Sequence, residues 1–247
     1  MQDIAKYFAK AGVELTLSNK PIINSRLNNG TTDKIFQMTI DSGKKERFRI
    51  FKGVDNDVRV LDYDKKKNQV LLFVKEPKRT FTTVEYDRTS HKNIETTRTT
   101  PDFIRRYLMG KDETHLFISE LPDGQGKIND ISDAHRSLRP FEVKDRKKRK
   151  SVKIKRQGEW FFIEATPSEL IDINANIKFV EQRKSLPIEQ GGNAHIVEYL
   201  LKIDEVIFIK GKVRHADHHT QEFLTWQRVF KNTEKRDNNA RFGRWVD

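Results

Sequence analysis

Four short blocks near the N-terminal end constrain this chain most. KIFQMTI (34–40), ERFRIF (46–51), DVRVLDY (57–63) and QVLLFV (69–74) are each of strand length, and only short turns separate them. In the second of them Arg47 and Arg49 alternate with Phe48 and Ile50, as polar and apolar side chains do in a half-buried strand. The turns, carrying Ser42-Gly43 and Gly53-Val54-Asp55-Asn56, are too short for parallel crossovers, so the block predicts an antiparallel meander.

The helix signals are few and short. Residues 2–11 predict a helix stopped by Gly12. Thr100 as N-cap and Pro101 at the first position predict a second helix running to Leu108, with Gly110 as its stop. Residues 129–137 predict a third, and the capping box Thr166-Pro167-Ser168-Glu169 opens a fourth. Residues 15–32 and 174–192 read as irregular, with a strand at 177–180; 75–100 reads as an exposed excursion and 111–122 as a strand. Segment 195–203 is amphipathic by either period. The expected fold class is therefore α+β: mainly antiparallel β, as a meander or barrel-like sheet, with a few short helices.

At 247 residues the chain makes one large domain or two smaller ones. The densest basic run, KDRKKRKSVKIKR (144–156), is the best boundary, giving a strand-rich region 1–143 and a basic region 144–247. Its first half reads as a solvated turn. SVKIKR and EWFFIEA (159–165) then read as a hairpin with a basic outer face.

A net charge of +12 speaks of partners rather than fold, and an excess this large points to a polyanion. Nucleic acid leads; an acidic protein partner is the other candidate. No apolar run approaches the length of a membrane span and there is no cysteine, which together suggest a cytoplasmic protein without membrane or disulfide. No Walker motif, GxSxG, HExxH or zinc-finger spacing occurs.

The chemistry gathers in DEVIFIKGKVRHADHHTQEFLTWQRVFKN (204–232). Val206 to Val213 predicts a strand, with Ile207, Ile209, Gly211 and Val213 on one face and Phe208, Lys210, Lys212 and Arg214 on the other. His215, His218 and His219 follow in a loop. Basic strands interleaved with aromatics suit RNA or single strands better than duplex DNA. The expected phosphate contacts are Lys147, Lys148, Arg149, Lys150, Lys153, Lys155, Arg156, Lys210, Lys212 and Arg214, with Trp160 and Trp226 as base stackers. The alternative is a phosphodiesterase or nuclease using His215, Asp217, His218 and His195. It works either with a divalent metal on His215, Asp217 and His218, or without one, by acid–base transfer assisted by Lys212. No other cofactor is expected. Asp112, Glu113 and His115 read as turn residues flanking a strand or as a further candidate site, and His195 or His115 is the candidate for an additional metal ligand.

Overall fold

The computed structural model describes residues 2–22, 33–43, 45–122, 127–148, 152–187, 193–235 and 242–243. The chain forms two compact units. One comprises Met1–Lys111, Leu116–Ala134 and Lys235–Trp245; the other comprises Asp112–His115, His135–Glu234 and Val246–Asp247. The basic run that suggested a boundary lies inside the second unit. No helix among the described residues is long and apolar enough to cross a membrane.

In the first unit the expected helix forms as α1 (Gln2–Ala11), burying Ile4, Phe8 and Ala11. The segment expected to be a loop contributes β1 (Leu15–Leu17), parallel to β3 (Arg47–Phe51), which pairs antiparallel with β2 (Gln37–Asp41). The next hairpin, β4 (Asp57–Asp64) and β5 (Gln69–Glu76), belongs to a different sheet, so the expected meander divides in two. Between them lies one core that includes Phe36, Met38, Phe48, Ile50, Val70, Leu72 and Val74. The Thr-rich excursion is an antiparallel ribbon of β6 (Arg79–Asp87) and β7 (Lys92–Thr100), in keeping with its β-branched residues.

The helix expected from Thr100-Pro101 does not form. Residues 103–112 are instead β8 (Phe103–Asp112), paired with β5 along its length and followed by β9 (His115–Glu120). Tyr107 and Met109 are fully buried beside Val70 and Leu72, and the Arg105 guanidinium donates to Glu76 at 2.8 Å in the interior. Burial against a complete sheet outweighs a local capping signal worth about 1 kcal/mol. Further on, α2 (Ile131–Ser137) falls where the sequence places it.

In the second unit, α3 (Phe141–Lys147) replaces the expected solvated turn, because Val143 buries and Arg146 finds a carboxylate. The hairpin of β10 (Ile154–Gln157) and β11 (Trp160–Glu164) forms as expected. α4 (Pro167–Ala175) opens on the complete capping box of Thr166 and Glu169. A 3-10 turn, Ile177–Phe179, stands where a strand was expected, and the exposed strand β12 (Glu181–Ser185) follows it. The ambiguous segment is β13 (Ile196–Ile203), paired with β14 (Val206–Arg214), which pairs with β15 (Gln221–Lys231). The sheet order is β10-β11-β15-β14-β13-β12, antiparallel throughout and not closed into a barrel. A last short strand, β16 (Phe242–Gly243), joins β2 in the first unit.

The two faces of this sheet bury different clusters. Trp160, Phe162, Val197, Ile209, Val213 and Phe223 pack together on one. On the other, Phe208 and Leu201 pack with Ile173 of α4, and Phe161, Ile163 and Phe230 pack with Val143 of α3. The expected alternation along β14 holds for its apolar residues but is interrupted at Gly211, where register slips against both neighbours. Gly211 has φ +84°, and a Cβ there would lie 2.6 Å from Glu198 Oε2, which accepts the Lys212 N–H at 2.9 Å. Gly211→Ala combines left-handed backbone with that clash, so we expect a loss of about 1–3 kcal/mol in urea unfolding. A variant as stable as the parent would show that the bulge is not held by Glu198.

Candidate functional site

Pairing of β13 with β14 places Ile196 opposite Arg214, so His195 and His215, each one residue beyond that pair, emerge at the same end of the sheet. The connection 215–220 is held there by hydrogen bonds. Gln157 Nε2 donates to the His219 carbonyl at 2.6 Å, Gln221 Nε2 donates to the Arg156 carbonyl at 2.7 Å, and the His219 N–H donates to Glu113 Oε2 at 2.6 Å. His195, His215 and His218 then form a stack. Ring centroids lie 4.1 Å apart for 195–215 and 4.7 Å for 215–218, with planes inclined by 27° and 30°.

The surroundings fix how these rings are held. His215 Nε2 lies 3.1 Å from the Asn193 carbonyl and must donate to it, while Nδ1 accepts the Asp217 N–H at 3.1 Å. Asp217 accepts from Asn193 Nδ2 at 2.9 Å and lies 3.5 Å from His115 Nε2. Neither His195 Nε2 nor His218 Nε2 has a partner among the described residues, and both atoms are inaccessible to solvent. Burial, reinforced by His215 and His218, depresses the His195 pKa to about 3. The same burial lowers that of His218, against the opposing pull of Asp112, Glu113 and Asp217.

On the opened part of β14 the cations are bare. Among the described residues the side chains of Lys210, Lys212, Arg214 and Arg183 have no carboxylate partner. Lys212, Arg214 and Arg183 line one pocket of about 130 Å³ with Ile196, Val197 and Glu198. Glu198 is engaged with backbone, through the Lys212 N–H.

No family model, curated protein or solved structure matches this chain. The site therefore rests on its own chemistry.

Of the residues expected from sequence, His195, His215 and His218 converge, with Asp217 beside them. The basic residues do not form one surface. Lys147 is exposed at the end of α3, Lys148 pairs with Asp145 at 3.2 Å, and Arg156 Nε donates to the Gly158 carbonyl at 2.7 Å. Lys153 is exposed, while Lys155 sits over the Phe223 ring at 4.8 Å, on the sheet face away from Phe208. Arg149, Lys150 and the terminal Trp245 lie outside the described residues. Trp160 is 4% exposed in the core and offers no face to a base, which corrects its assignment as a stacker. A large aromatic on a strand that packs into a core gains more from burial than any exposed role would return. Trp226 is half-buried against the α4 cluster and keeps part of its ring in solvent.

Several residues of the site carried no signal in sequence. Arg183 fell in a segment read as irregular, and Asn193 and Gly158 were only turn residues. The Asp112–His115 turn is where the sequence put it, but its Glu113 and His115 bind the histidine loop.

Proposed function

We propose that this chain is a nucleic-acid-binding protein of the cytoplasm, preferring RNA or single strands to duplex DNA. The observation that carries the reading is the unpaired cationic group on β14 and β12: Lys210, Lys212, Arg214 and Arg183, three of them around one pocket. Like charges held this close on a sheet repel unless an anion lies alongside, and a phosphodiester chain supplies one at regular intervals. Trp226, half-buried, and Phe179, 60% exposed just ahead of β12, are the aromatic surfaces available to unstacked bases. The helices of this unit are short and packed against the sheet, which favours a sheet-borne single strand over a helix laid in a major groove.

The geometry disfavours a metal-free cleavage step that uses His195 as its acid. A metal-free acid–base pair needs a histidine that carries a proton near neutral pH, and His195 titrates at about 3 with its Nε2 shielded from solvent.

Titration of a labelled single-stranded RNA and of duplex DNA at about 50 and about 200 mM salt tests the proposal. With three to four phosphate contacts, RNA affinity should fall roughly 20- to 50-fold across that range. Affinity indifferent to salt, or tighter binding to the duplex, would count against it. Incubating the same RNA with and without chelator tests cleavage directly.

A further inference from the structure

We infer that His195, His215 and His218 form a closed site for one divalent first-row transition ion of the zinc type, which ties the 215–220 connection to the start of β13. One ring nitrogen from each residue lies within 4.8 Å of the others. Zinc–nitrogen bonds of about 2.0–2.1 Å set ligand nitrogens about 3.4 Å apart, so the rings close on the ion by about an ångström and fan out of their stack. His218, in the connecting loop and the least buried of the three, supplies most of that movement.

Three observations converge on an ion rather than on simple packing. First, His195 is 2% exposed, yet its Nε2 and that of His218 are buried without a partner. Each such group costs about 1–3 kcal/mol, and a single ion would satisfy both. Second, both nitrogens front on Gly158: a Cβ there would lie 3.1 Å from His218 Nε2 and 3.4 Å from His195 Nε2, so the absent side chain leaves the approach between them clear. Third, the remaining ring already makes the outer hydrogen bond of a metal ligand. His215 donates Nε2–H to the Asn193 carbonyl, the outer bond that typically fixes a metal-bound imidazole, and Nδ1 becomes the ligand once the Asp217 N–H is released. Asp217, with its carboxylate 3.9 Å from His215 Nδ1, is the nearest oxygen donor for a fourth position. Neutral imidazoles select zinc, cobalt or nickel over magnesium and calcium, which require oxygen. Because the nitrogens are shielded from solvent, the ion's role here is to hold structure. The site is independent of the nucleic-acid reading, which rests on other side chains.

The test is cobalt(II) alone added to chelator-treated, full-length protein, followed by visible absorption, with zinc as competitor. One equivalent should bind with the intense band of tetrahedral coordination, zinc should displace it, and zinc should raise Tm. His195→Gln and His218→Asn should each weaken uptake by more than the ~10–100-fold typical of losing an outer bond, while His219→Gln should not. Should His195→Gln fail to fold, His218→Asn in the loop carries the same comparison. Parent uptake no greater than that of a variant carrying both His195→Gln and His218→Asn, or uptake that both single variants retain, overturns the site.

Discussion

Glu169→Ala should destabilise the second unit by about 3–5 kcal/mol. One carboxylate serves three elements. Oε1 pairs with Arg146 of α3 and accepts from Arg228 Nη1 of β15 at 2.8 Å. Oε2 accepts the Thr166 N–H at 2.7 Å and so completes the capping box that starts α4. Burial alone would raise the Glu169 pKa, but the bonds from Arg146, Thr166 and Arg228 outweigh it and bring the group to about 2. Removing the carboxylate leaves two guanidiniums, 13% and 26% exposed, without their partner. Urea unfolding measures the loss. The exposed Glu164 on β11 provides the contrast, since its substitution by alanine should cost no more than about 0.5 kcal/mol. A loss under about 1 kcal/mol for Glu169→Ala would mean that α3, α4 and β15 are held by their apolar contacts alone.

Stability of the metal-free protein should also fall as pH drops below about 6.5. His195 titrates at about 3 in the fold and near 6.5 when unfolded, so between those values the unfolded chain binds the extra proton. The stabilisation is complete above pH ~6.5, declines by about 1.4 kcal/mol per pH unit below it, and is lost as pH passes through about 3. At pH 5 the loss from His195 amounts to about 2 kcal/mol, and His218, shifted in the same direction, adds to it. Glu169 contributes in a lower window: its stabilisation is complete above about 4.5 and is lost as pH falls from there to about 2, because over that range the unfolded carboxylate takes up a proton and the folded one does not. Urea midpoints measured in chelator at about pH 7.5, 5 and 3.5 separate the two. A His195→Gln variant should flatten the upper window and leave the lower one. A parent midpoint constant between pH 7.5 and 5 would contradict the buried, neutral stack.

What sequence disclosed depended on the range of the interaction. The capping box at Thr166, the hairpin turn at Gln157-Gly158 and the strand Val206–Arg214 are local patterns, and each forms where it was read. Residues 103–112 went wrong because Thr100, Pro101 and Gly110 mimic helix boundaries. Their partner, β5, supplies long-range burial that no local signal records. Trp160 and Lys155 sat on the two strands of one expected hairpin, but only the sheet's second layer of contacts decides that Trp160 is core. The convergence of His195 with His215 was accessible in principle, since one β-hairpin joins them, yet 195–203 has no clear period. Arg183 was out of reach because 174–192 showed no strand pattern outside 177–180, and Gly158 because it meets the histidines through strands distant in sequence.

The most direct measurement of the central claim is the salt dependence of RNA affinity for the parent and for a variant carrying Lys210→Gln, Lys212→Gln and Arg214→Gln. If these side chains neutralise three phosphates, the slope of log K against log salt should be shallower by about 2 in the variant, with far-UV dichroism and Tm unchanged. An identical slope in the two proteins would show that the bare cations of β14 touch no phosphate, and the proposal would fall.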